Sequence, residues 1–61
     1  MQVYKSPGGA RYVVINGFVY CKPVEGIVFL SSMSVERFLA LIAGGLLTFE
    51  KLIPPILLKK H

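Results

Sequence analysis

The chain has little of what enzymes use, since it contains no aspartate, one cysteine, one histidine and three glutamates among 61 residues. Acid–base and nucleophilic catalysis need carboxylate, imidazole or thiol groups that can be brought together in pairs or triads. The histidine is the final residue, His61, and the glutamates are widely separated in sequence. One cysteine and one histidine also cannot complete a four-ligand metal site. The sequence therefore predicts a non-enzymatic protein without cofactor or metal ion.

The chain also has few cysteines and no long apolar segment, and both features indicate the cellular compartment in which it works. A single cysteine, Cys21, excludes an intramolecular disulfide and suits a reducing compartment. Residues 1–10 contain a lysine, a proline and two glycines instead of the apolar core of a signal peptide. The segment 38–49 is shorter than the about 20 apolar residues that cross a bilayer. We therefore expect a cytoplasmic protein that does not insert into a membrane, with attachment of the carboxyl-terminal third to a membrane surface as an open alternative.

What the chain has in excess is apolar surface. Hydrophobic residues make up 54% of the sequence, charged residues 16%, and the mean hydropathy is +0.65. A domain of this length buries only about 60% of the surface that its unfolded chain exposes. Without disulfides or metal, association is the remaining way to cover the surplus. We expect one domain over residues 1–61 that forms a homodimer or joins a larger assembly.

The strongest local pattern is a β-hairpin around Asn16 and Gly17, two residues that tolerate the positive φ angles of a type I′ turn. The turn predicts four directly opposed pairs, Ile15 with Phe18, Val14 with Val19, Val13 with Tyr20 and Tyr12 with Cys21. Because strand side chains alternate, both faces of this hairpin are apolar. We expect helical residues to cover one face and a second copy of the chain to bind the other face or the free edge beside it. The predicted oligomer interface consists of Tyr12, Val14, Val19 and Cys21.

Further strands are predicted on both sides of the hairpin. Residues 2–4 form a possible short strand before the turn at 6–9, and residues 27–30 form a third strand candidate after the break at 22–26. A helix follows with Ser34 as its N-cap, and either Gly44 or Gly45 ends it.

The segment after this helix predicts a second, short helix that begins at Thr48 and is interrupted by Pro54 and Pro55. Pro55 could then start a final helical turn, or the tail could be extended. The predicted fold class is therefore α+β, a small antiparallel β-meander followed by one helix and a short proline-interrupted second helix.

The charge balance is basic, with seven Lys and Arg residues against three glutamates, a net charge of +4 and an isoelectric point near 9.6. A basic chain of this size can bind phosphate backbones, although scattered positive charges can equally serve solubility. The candidate nucleic-acid-binding residues are Lys5, Arg11, Lys22, Arg37, Lys51, Lys59 and Lys60.

A family resemblance covers about a third of the chain. The run Leu39-Ala40-Leu41-Ile42-Ala43-Gly44-Gly45-Leu46, followed by Thr48-Phe49-Glu50-Lys51-Leu52-Ile53 and Pro54, resembles the helix, Gly-Leu turn, short acidic helix and proline of a family of small prokaryotic antitoxins. Here Leu47 is inserted before Thr48, and the Gly-Thr-Arg entry of the family is missing. The resemblance of residues 38–55 implies a dimeric regulator that pairs with a toxin and binds DNA.

Two classes of function follow from the sequence. The first is a small non-enzymatic dimeric regulator that binds nucleic acid or acts like an antitoxin. The second is a structural protein–protein interaction module, such as a small subunit of a larger or viral assembly. The identity of the partner does not follow from composition or fold class.

Overall fold

The computed structural model describes residues 1–53 as one antiparallel β-sheet with a helix on one face. The elements in these residues are β1 (Gln2–Lys5), β2 (Arg11–Ile15), β3 (Phe18–Lys22), β4 (Phe29–Leu30), α1 (Val35–Ala43) and β5 (Thr48–Leu52). The strand order across the sheet is β4-β3-β2-β1-β5. The predicted α+β class with a β-meander is confirmed.

The β2–β3 hairpin has the predicted turn and register. Asn16 and Gly17 have φ angles of 53° and 83°, as a type I′ turn requires. The four predicted pairs are all present, and the ladder continues by one further pair, Arg11 opposite Lys22. The turn therefore fixes which side chains of both strands share a face.

Helix α1 has the predicted cap at each end. The Ser34 hydroxyl accepts a hydrogen bond of 3.1 Å from the amide of Arg37, which satisfies one of the unpaired amides of the first turn. After the C-cap residue Gly44, Gly45 has a φ of 81°. The amide of Leu46 donates a 2.9 Å hydrogen bond to the carbonyl of Leu41, and the amide of Gly45 donates a 3.0 Å hydrogen bond to the carbonyl of Ile42. These bonds form a Schellman motif, which needs a residue at positive φ.

The predicted second helix is wrong, because residues Thr48–Leu52 form strand β5 instead. This strand pairs antiparallel with β1, and Ile53 extends the contact by donating its amide to the carbonyl of Met1 over 2.9 Å. Six residues before a proline pair allow few helical hydrogen bonds, whereas pairing with β1 satisfies the strand backbone of both segments. The predicted final turn at Pro55 lies outside the described residues.

The core lies between α1 and one face of the sheet. Val19, Phe38 and Leu47 are buried there, and the ring of Tyr4 meets the ring of Phe38 edge-on at 5.5 Å. This is the face of the sheet for which a second copy was predicted, with Tyr12, Val14, Val19 and Cys21. Val19 is 1% exposed and Cys21 is 7% exposed, so the chain's own helix occupies this surface.

Candidate functional site

No helix or strand of residues 1–53 packs on the sheet face opposite α1, which we call the open face, although Val3 on this face is 6% exposed and Val13 and Ile15 are half-buried. Lys5 lies directly opposite Arg11, and Arg11 lies directly opposite Lys22, on the adjacent strands β1, β2 and β3. Directly opposed side chains share a face and have Cβ atoms about 5 Å apart. We call Lys5, Arg11 and Lys22 the basic row, in which three cations are held within about 10 Å.

An apolar row lies beside the basic row on the same face. It consists of Val3, Val13, Tyr20 and Leu30, each directly opposite the next across β1, β2, β3 and β4. Phe18 and Ile15 form the next pair along the hairpin, and Phe18 is 57% exposed. The open face therefore carries two aromatic side chains: the half-buried Tyr20 adjoins Lys22 along β3, and the exposed Phe18 lies one same-face position further along.

A shallow groove of about 190 Å³ runs along this face. Most of its lining side chains are aliphatic. Three are cationic: Arg11 and Lys22 from the basic row and Lys51 from β5. The lining residues are Val3, Arg11, Tyr12, Val13, Ile15, Lys22, Val28, Lys51 and Ile53.

One acidic side chain, Glu50, reaches the basic row from β5. The register between β1 and β5 shifts by one residue: Val3 opposes Lys51, and the next residue, Tyr4, opposes Phe49. Glu50 therefore has no directly opposed residue on β1 and forms a β-bulge. Its carboxylate accepts two hydrogen bonds from Arg11, from Nε at 2.6 Å and from Nη2 at 2.9 Å. This forked contact ties β5 to β2 across the intervening strand.

The ion pair shifts the titration of both partners. Hydrogen bonding to Arg11 holds the pKa of the Glu50 carboxyl below its ordinary value, although partial desolvation acts in the opposite direction. The same contact raises the pKa of Arg11. At neutral pH, Arg11 therefore carries a counter-ion within the chain, whereas Lys5 and Lys22 are exposed and point to solvent.

Acidification is expected to remove the contribution of the Arg11–Glu50 pair to stability. Because the folded pKa of Glu50 lies below its ordinary 4.5, the pair stabilises the fold above that pH and loses this effect as the pH falls through the folded pKa. We expect the thermal midpoint of the unchanged chain to exceed that of Glu50→Gln at neutral pH. The two midpoints should converge as the pH falls through and below the folded pKa of Glu50. A difference that is independent of pH would contradict a role for the charge on Glu50.

The structure brings together four of the seven candidate nucleic-acid-binding residues. Lys5, Arg11, Lys22 and Lys51 share the open face. Arg37 lies on α1, in the other layer of the fold. Lys59 and Lys60 lie outside the described residues.

Sequence reasoning treated the basic residues as scattered and missed Glu50 as a partner of Arg11. One signal was present: extending the predicted hairpin register by a single pair places Arg11 opposite Lys22. Lys5 and Glu50 could not be placed in this way, because their positions depend on the pairing of β1 with β2 and β5.

Comparison of the chain with known protein families, with curated proteins and with solved structures gave no match. Within residues 1–53, no group of three His, Cys, Asp or Glu side chains is placed to hold a metal ion. No helix in that same range has the length and apolar character needed to cross a membrane. The open face is therefore interpreted from its own chemistry.

Proposed function

We propose that the chain is a small non-enzymatic regulator that binds single-stranded nucleic acid on its open face. The observation that supports this proposal is the basic row of Lys5, Arg11 and Lys22 on the same sheet face as the half-buried Tyr20 and the exposed Phe18. Cations that track the phosphate backbone, next to rings on which bases stack, are the usual components of single-strand binding surfaces.

The arrangement favours a single strand over a duplex. Bases of a single strand are free to stack on Phe18 and Tyr20, whereas in a duplex they are already stacked on their neighbours. Reading a duplex in its major groove requires a helix or a narrow ribbon that fits the groove. Here the cations lie on a sheet face, and α1, with Arg37 as its cationic side chain, packs on the far side.

Salt dependence and alanine variants test the proposal. Binding of labelled single-stranded DNA and RNA should weaken with salt, with a slope of log K against log salt of about −2 if three phosphates are contacted. The double variant Lys5→Ala/Lys22→Ala should reduce the slope to about −0.7, because Lys51 then remains as the cation of the open face outside the Arg11–Glu50 pair. Fluorescence anisotropy over about 50 to 200 mM salt measures both slopes.

Arg37→Ala provides the matched control, since it removes an exposed cation from the other layer of the fold. Its slope and affinity should equal those of the unchanged chain. Duplex of the same sequence should bind more weakly than either single strand. Undetectable binding, or an equal loss from Arg37→Ala and the double variant, would reject the open face as the nucleic-acid site.

A second candidate function is a protein–protein interaction module. It is supported by the number of large apolar side chains that are at least half exposed among the described residues: Phe18, Val24, Ile27, Val28, Phe29, Leu30, Leu39, Leu46, Phe49 and Leu52. Large exposed apolar patches often mark contact surfaces, and four of these residues, Ile27, Val28, Phe29 and Leu30, are consecutive. The antitoxin-like role rests on the sequence pattern around Gly44 and Gly45 alone and stays a prediction.

A further inference from the structure

The outer edge of β4 combines unpaired backbone with exposed apolar side chains. Four consecutive residues are at least half exposed, namely Ile27 at 82%, Val28 at 53%, Phe29 at 50% and Leu30 at 56%. Only two of them, Phe29 and Leu30, belong to the strand, and β4 is the last strand on its side of the sheet. This segment is therefore a short, uncharged strand, and no other strand of residues 1–53 pairs with its outer side.

Hydrogen bonding to β3 shows which backbone groups point away from the sheet. The amide of Ser31 donates to the carbonyl of Val19 over 2.9 Å, and Phe29 lies directly opposite Cys21. Inward and outward backbone groups alternate along an antiparallel strand. The N–H and C=O groups of Val28 and Leu30 therefore point outward, where another strand can bind them.

The opposite edge of the sheet is built differently. Strand β5 carries Glu50 and Lys51 and a bulge opposite β1, features that commonly prevent edge-to-edge pairing. Residues 27–33 contain no charge, no proline and no bulge in the contact with β3. The two edges thus differ in the features that decide whether a strand accepts a partner.

We propose that the β4 edge binds the β4 edge of a second copy of this chain, in antiparallel orientation, with the twofold axis at Phe29. This register pairs the outward groups of Val28 with those of Leu30 from the other copy, so each edge satisfies the other. The absence of charge in the segment matters because each copy carries a net charge of +4. Like charges are kept away from the axis, and apolar side chains meet on both faces.

The exposed surface of these four residues suits a weak dimer. Their exposed fractions correspond to at most about 400–500 Å² per copy, roughly half of the about 800 Å² per partner in a standard interface. We therefore expect a dimer that dissociates on dilution. The twofold axis is perpendicular to the joined sheet, so both open faces lie on the same side of it. The proposal is independent of nucleic-acid binding.

Disulfide trapping tests the register. In a Cys21→Ala background, Phe29→Cys places two thiols at a directly opposed, non-hydrogen-bonded pair whose Cα atoms are about 4.5 Å apart, a distance that a disulfide spans. Leu52→Cys in the same background is the control, because Leu52 is 67% exposed on the other edge. Mild oxidation should give a covalent dimer of the Phe29→Cys chain several times faster than of the control. Equal rates would overturn the proposed register and edge.

Sedimentation velocity over a concentration series tests the dimer without cysteine chemistry. The unchanged chain should shift from monomer to dimer with concentration, and Phe29→Lys, which opposes two like charges at the axis, should remain monomeric. Leu52→Lys should dimerise like the unchanged chain. A monomer at every concentration, or a dimer that Phe29→Lys leaves intact, would overturn the proposal. Circular dichroism identifies loss of fold, in which case the trapping result decides.

Discussion

Phe38→Ala is expected to unfold most of the protein at room temperature. Phe38 is 3% exposed, packs with Val19 and Leu47, and its ring meets Tyr4 edge-on. Truncating a buried phenylalanine costs about 3–5 kcal/mol. A single core of this size rarely supplies more than about 3–5 kcal/mol of net stability, so the loss is comparable to the whole.

Leu39→Ala is the matched control for this prediction. Leu39 is the next residue of α1 and is 56% exposed, so its truncation leaves no cavity and should cost less than about 1 kcal/mol. Urea unfolding followed by circular dichroism measures the two free energies of unfolding. Similar values for both variants would contradict the position of α1 on the sheet.

Val19→Lys is the second change with a large expected effect. Val19 is 1% exposed and touches Phe38 and Leu47. An unpaired ammonium group cannot be hydrated there, and the side chain is also too long for the space. We expect a loss of several kcal/mol and therefore an unfolded chain at neutral pH.

Phe18→Lys is the comparison for Val19→Lys, because it changes the neighbouring residue of β3, which faces the other side and is 57% exposed. This variant should keep its fold and a cooperative thermal transition. If Val19→Lys folds as well as Phe18→Lys, the assignment of the two sheet faces is reversed.

The hairpin and the helix could be predicted from sequence because each is encoded by neighbouring residues. Asn16 and Gly17 specify a turn geometry, and that turn specifies the register of β2 and β3. Ser34 and Gly45 specify the ends of α1 through hydrogen bonds within its first and last turns. In both cases the deciding contacts are at most a few residues apart.

Strand β5 could not be recognised in this way. Thr48 and Glu50 offer an N-cap and a first-turn acid, so local propensity favours a helix. The strand forms because β1 has a free edge, and the pairing joins residues as distant as Met1 and Ile53. Distance in sequence also hid the Arg11–Glu50 pair, whose members are 39 residues apart. Lys5 joins the basic row through the pairing of β1 with β2.

The placement of β1 between β2 and β5 also sets the order in which the chain can fold. Among the strands of residues 1–53, β1 is synthesised first and its second neighbour, β5, is synthesised last, with 43 residues separating Lys5 from the Thr48 side chain that donates to its carbonyl. Closing so long a loop carries an entropic cost, and long-range pairing slows folding. On the ribosome, the edge of β1 that pairs with β5 therefore stays free until the β5 segment has left the exit tunnel.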